Sequence, residues 1–110
     1  MITGGTDMSK KYLMVAKKYA KKISDCGSRV WAMYLFGSRV RGTNRLDSDL
    51  DVCVVSDDFT DDMVENRVRL MRLVGKRGLL IEPHPMKVED FEDKYNPLAM
   101  EVKRTGIRVV

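Results

Sequence analysis

The chain has 110 residues, 44% of them hydrophobic, and a formal net charge of +4. That length suits one domain with a core of its own, and no apolar run approaches the roughly 20 residues a membrane helix needs. Cys26 and Cys53 have no metal-binding spacing and read as reduced thiols of a cytoplasmic protein rather than a disulfide staple.

Charge is unevenly placed. Residues 1–45 carry ten Lys or Arg against the two acids Asp7 and Asp25, whereas residues 46–65 carry eight acids and no base. A basic block followed by an acidic one suggests separate tasks, attraction of anions and holding of cations. Residues 1–8 lack the basic and apolar parts of a secretory signal and read as a poorly ordered lead-in, leaving 9–110 as the domain.

Ser9 is a candidate cap for a first helix, in which Tyr12, Ala16, Tyr19, Ala20 and Ile23 form one apolar stripe and Gly27 marks the end. Lys17, Lys18, Lys21 and Lys22 fall mostly on the other faces, as a solvated or anion-facing surface. Residues 29–36, rich in Val, Trp, Tyr and Phe, predict a strand that stops at Gly37-Ser38. Polar, flexible residues follow to Ser48. A second strand runs from Asp49 to Val55, with Leu50, Val52 and Val54 on one face and Asp49, Asp51 and Cys53 on the other.

Thr60 is a candidate cap for a second helix, with Met63, Val64, Val68, Met71 and Val74 as its buried stripe and Gly78 as its stop. The acidic run Asp57, Asp58, Asp61 and Asp62 is explained by a loop and a helix start without metal. Leu79 to Glu82 predicts a short third strand, cut off by Pro83 and Pro85. His84, between those prolines, could touch acceptor or phosphate but reads first as a turn element, and Trp31, Met63 and Met71 as core. A short amphipathic helix fits residues 88–95. Asn96-Pro97 is a cap and first-turn pair for a last helix that stops near Gly106, and residues 107–110 fit an edge strand. Strands alternating with helices imply a small mixed sheet covered by helices on one face.

Chemistry concentrates in residues 35–55, LFGSRVRGTNRLDSDLDVCVV. A strand delivers the chain to Gly37, where the missing side chain admits close approach of a ligand. A helical turn from Ser38 to Arg41 would aim unpaired N–H groups at one point, which is phosphate-binding geometry, with Arg39 and Arg41 adding charge. Asp49 and Asp51, two apart on a strand, project together. Like charges so placed are costly without a cation between them, and Mg²⁺ held by carboxylates and substrate phosphates is the natural one.

Gly37-Ser38, Arg41-Gly42 and Ser48-Asp49-Leu50-Asp51, lying between two strand-like runs, resemble the signature of the DNA polymerase beta-like nucleotidyltransferase superfamily. Their spacing and brevity resemble its minimal nucleotidyltransferase branch, often paired with HEPN-domain proteins. The resemblance implies an α+β domain, a small mixed sheet flanked by helices. It implies that Gly37, Ser38 and Arg41 bind the nucleotide and that Asp49 and Asp51 bind metal, two Mg²⁺ ions or Mn²⁺ in their place. A third carboxylate is expected on a later strand, where it helps to activate the acceptor hydroxyl. Glu82 is the candidate, although the family more often shows Asp; a solvated or Arg-paired Glu is the alternative.

The reaction so implied moves a nucleoside monophosphate, AMP from ATP, onto an acceptor and releases pyrophosphate. A chain this short leaves little room for a dedicated small-molecule pocket. That favours a partner protein as acceptor, with the chain as the antitoxin of a HEPN/MNT pair, and leaves homo-oligomerisation open. Nucleic acid is a weaker acceptor, because little aromatic residue is interleaved with the basic helix. A non-catalytic partner-binding subunit or a nucleotide sensor is the competing class, and the retained Asp49 and Asp51 argue against it.

Overall fold

The computed structural model describes residues 6–37, 50–74 and 81–110. Their elements run α1 (Thr6–Asp25), β1 (Ala32–Phe36), β2 (Leu50–Ser56), α2 (Met63–Arg72), β3 (Ile81–Lys87), α3 (Val88–Phe91), α4 (Pro97–Thr105) and β4 (Ile107–Arg108). This is the expected α+β class.

The predicted stripe of α1 is buried at all five positions, while its described lysines, from Lys10 to Lys22, are exposed. The helix begins at Thr6, before the expected cap at Ser9. Tyr19 donates its hydroxyl to the Leu70 carbonyl at 2.6 Å, tying α1 to the end of α2. Burial holds that phenol well above its ordinary pKa, so it stays a donor.

The four strands are ordered β3-β2-β1-β4. β1 pairs antiparallel with β2 and β4, and β2 pairs parallel with β3. A parallel neighbour needs a crossover, and α2 supplies it. Central β2 is covered on both faces, which corrects the expectation of a single covered face. Leu50, Val52 and Val54 join the core under α1 with Phe59, Leu70 and Ile81. Cys53 and Val55 join a second core with Phe36, Met86, Phe91, Ala99 and Val102, under α3 and α4. The alternation read from the sequence holds; the residues opposite the first core simply have a core of their own.

Four local expectations are corrected. β3 does not stop at Pro83 but runs to Lys87 through both prolines. Residues two apart turn their N–H positions to the same side, and an edge strand has one side without a partner, so two prolines in phase leave the ladder intact. The cap of α2 is Asp62, whose carboxylate accepts from the Glu65 N–H at 3.0 Å, not Thr60. The apolar stripe predicted for that helix largely faces outward: Val64 is 74% exposed, and Met63, Val68 and Met71 are exposed too. Asn66 and Leu70 take the inner face instead. Trp31 is likewise exposed, its ring edge-on to Phe91 at 6.0 Å between centroids.

Asn66 explains why a polar residue can displace methionine and valine from the interior. Its Oδ1 accepts from the Thr60 N–H at 3.1 Å and from the Thr60 hydroxyl at 3.2 Å, and its amide donates to the Thr60 carbonyl at 2.8 Å. The fully buried side chain thus serves as the backbone partner of the loop before α2. Asn66→Ala removes these bonds, leaving the Thr60 hydroxyl only its contacts with Asp62, and is expected to cost about 2 kcal/mol, read as a lower urea midpoint with an unchanged slope.

The acidic run is structural, as expected. Asp57 pairs with Arg29, Asp61 with Lys87, and Asp62 caps α2. Asp58 accepts from the Ser56 hydroxyl and the Arg29 N–H at 2.7 and 2.8 Å. Burial alone would raise the pKa of Asp58, but those bonds and the charges of Arg69 and Arg29 hold it below the ordinary value. α3 ends at Phe91, short of the expected reach to residue 95, whereas α4 begins as read, with Asn96 accepting from the Ala99 N–H at 3.0 Å and Pro97 in the first turn. No helix among the described residues is long and apolar enough to cross a membrane.

Candidate active site

The parallel pairing of β2 and β3 builds the site. Its register sets Asp51 opposite Glu82 and Cys53 opposite His84. Partners across a parallel ladder project to the same side, so Asp51, Glu82 and His84 share the face that carries the second core. Farther along that face Val55 and Met86 are buried. The core therefore closes one end of the row and leaves the acids at the other, half-exposed end.

His84 Nε2 lies 3.1 Å from Asp51 Oδ1 and 3.9 Å from Glu82 Oε2. One donor atom from each of the three residues lies within 4.8 Å of the others. The ring of Phe36 meets that of His84 edge-on at 5.1 Å between centroids, fixing one side of the imidazole. Arg67 of α2 reaches Glu82 Oε2 with Nη2 at 3.2 Å.

Gly37, at the end of β1, has φ +93° and faces the Asp51 carboxylate so closely that a Cβ there would collide with Oδ2. The missing side chain therefore serves two ends, a backbone conformation that L-residues avoid and room for an acid. Cys53 lies beside Asp51 in sequence but is fully buried, and burial pushes its thiol up to about 12. That thiol is not a nucleophile at neutral pH.

Of the residues singled out from the sequence, the structure brings together Gly37, Asp51 and Glu82. Ser38, Arg41 and Asp49 lie outside the described residues, as do Arg39 and Arg45. The reading of His84 as a turn element is corrected: it stands on β3, against Asp51. Arg67 was not singled out by number, but it supplies the Arg partner that the alternative reading of Glu82 had named. A signal for His84 existed in the two-residue step from Glu82, but it becomes visible only when the strand continues through Pro83.

Two carboxylates and an imidazole converging at these distances fit a divalent cation. Arg67 competes for the same Glu82 oxygen, so Arg67→Met is expected to tighten cation binding two- to fivefold, roughly what an exposed ion pair is worth. Titration calorimetry of the full chain reads this; an unchanged affinity would mean that Arg67 does not oppose the cation.

Comparison with known proteins places this chain in a family. Residues 16–105 match the nucleotidyltransferase domain family. Spectinomycin 9-adenylyltransferases of Staphylococcus aureus strains are 38% identical over 64 residues, 56% of this chain and 25% of theirs, so the match spans a quarter of the length of those relatives. Among solved structures, a Sulfolobus solfataricus protein assigned as a nucleotidyltransferase superposes with a TM-score of 0.66 at 17% identity, covering 98% of this chain and 87% of the other. A toxin-antitoxin with AMP-PNP gives a TM-score of 0.57 at 22% identity, covering 86% of this chain and 71% of the other. At those identities the structures speak for the fold, and it is the match over residues 16–105 that decides membership: the chain belongs to the nucleotidyltransferase domain family.

Proposed function

We propose that this domain transfers AMP from ATP to a hydroxyl group of a partner protein, with a divalent cation and release of pyrophosphate. The observation that carries the reading is the convergence of Asp51 and Glu82 across the parallel pair, beside a glycine that must remain a glycine. Asp51, Glu82 and, by the sequence pattern, Asp49 hold the cation, read from the sequence as Mg²⁺. When bound, it neutralises the charge that builds on the phosphoryl oxygens.

The protein's own groups do the rest. Gly37, with Ser38 and Arg41, receives the triphosphate. The acceptor oxygen forms a bond to the α-phosphorus as the bond from that phosphorus to the bridging oxygen breaks. The acceptor's proton passes to the Glu82 carboxylate, and pyrophosphate departs with the bond's electron pair. Position and charge supply the rate, with no covalent enzyme intermediate.

The names of the relatives support adenylyl as the group moved. A protein acceptor is supported by the outer side of α2, where Met63 and Val64 join Arg67, His84, Pro85 and Leu98 around an open groove beside the acids. A toxin encoded with this chain, of the HEPN type, is the acceptor this reading names. The spectinomycin-modifying relatives favour a second reading, a small hydroxylated acceptor.

Incubation with ATP labelled at the α- or γ-phosphate tests both. α-Label on a protein band, with pyrophosphate released, supports the first reading. α-Label in a small molecule supports the second. ATP binding without transfer to either would make the chain a nucleotide-sensing or partner-binding subunit.

A further inference from the structure

We infer that His84 is itself a metal ligand, the nitrogen donor of a mixed site with Asp51 and Glu82, and that it tilts the site away from Mg²⁺ toward Mn²⁺, Co²⁺ or Zn²⁺. This rests on the proposed nucleotidyl-transfer site and concerns which ion that site takes.

Geometry is the first argument. Donors bound at about 2.0–2.2 Å to one ion lie roughly 3.0–3.5 Å from each other. The imidazole Nε2 is 3.1 Å from Asp51 Oδ1, inside that range, and 3.9 Å from Glu82 Oε2, a few tenths of an ångström outside it. The placement follows from the backbone: Glu82 and His84 are two apart on one strand, and the register sets Glu82 opposite Asp51 and His84 two residues farther along the same face, opposite Cys53. Edge contact with Phe36 holds the ring, so little rotamer freedom is lost on binding. The three side chains are 23%, 26% and 35% exposed for His84, Asp51 and Glu82, open enough to leave positions for phosphate oxygens and water.

Donor chemistry is the second argument. Mg²⁺ favours oxygen and keeps its water, whereas imidazole nitrogen favours the later first-row ions. A histidine that only hydrogen-bonds Asp51 would orient the carboxylate for any ion alike. A histidine that ligates discriminates between them.

His84 is the only histidine in the chain, so its ring signals need no assignment. The test titrates the metal-free full chain with Mg²⁺, Co²⁺ and Zn²⁺ separately at one pH. It follows the ¹⁵N signals of the imidazole and the visible absorption of Co²⁺. The wild type is expected to bind Co²⁺ at least about a hundredfold more tightly than Mg²⁺, with Zn²⁺ moving the Nε2 signal far more than Nδ1. His84→Gln is expected to lower Co²⁺ affinity at least about tenfold, with Mg²⁺ affinity changed less than about threefold. Equal losses for both ions, or a ring signal that ignores saturating Zn²⁺, would overturn the assignment; the ring signal needs no variant to fold. Saturable binding that requires Asp51 but leaves the ring untouched would overturn His84 alone. Absence of any binding by the wild type would overturn the metal site and the proposed transfer reaction with it.

Discussion

Asp51→Asn is expected to lower nucleotidyl transfer about a hundred- to a thousandfold, the scale on which a preorganised charge contact to the transition state contributes, while leaving the fold intact. Asn keeps the shape of Asp and can still bond His84 Nε2, now 3.1 Å from the carboxylate. It loses the charge, and the charge is what holds a cation. The variant also removes one of two acids set opposite each other, Asp51 and Glu82, so the substitution relieves repulsion as it loses a partner. The melting temperature is therefore expected to move by only a few degrees, the equivalent of less than about 1 kcal/mol. Calorimetric unfolding and the α-label assay together make the test. Normal turnover would remove Asp51 from the site; lost turnover with a collapsed melting temperature would mean that the charge serves the fold.

The residues around Asp51 also mark how far the sequence could be read. The step from a strand to Gly37 and the alternation along β2 were legible, because both follow from backbone geometry within a few residues. β2 gave its two faces directly: Leu50, Val52 and Val54 lie in one core, Cys53 and Val55 in the other. β3 was cut short because proline is read locally as a stop, whereas its tolerance depends on lying at the edge of the sheet, a fact of the assembled fold. With that strand went His84, whose position against Asp51 exists only through the pairing of β2 with β3. The second helix failed differently. Periodicity found an apolar row, but Asn66 satisfies the loop at Thr60 and so takes the inside, which turns Val64 and Val68 outward. A polar core residue with backbone partners is invisible to a pattern that counts apolar side chains.

The companion result is expected from the glycines. Gly37 and Gly27 have nearly the same backbone conformation, φ +93° and +96°. Alanine at either position is strained, at about 1–2 kcal/mol. Their surroundings differ: a Cβ on Gly27 meets nothing within 4 Å, whereas one on Gly37 runs into Oδ2, Cγ and Cβ of Asp51. Gly27→Ala is therefore expected to lower stability by that strain alone and to leave the proposed nucleotidyl transfer at the wild-type rate. Gly37→Ala must in addition push the Asp51 carboxylate aside. β2 lies in the middle of the sheet and is covered on both faces, so the displacement falls on the side chain rather than on the strand. A misplacement of about 1 Å at a reacting centre costs on the order of a hundredfold in rate. The expected pattern is thus two variants of comparable strain, of which only Gly37→Ala loses activity and cation affinity together. Equal activity in the two would mean that Gly37 is a turn residue and that the close approach to Asp51 has no part in catalysis.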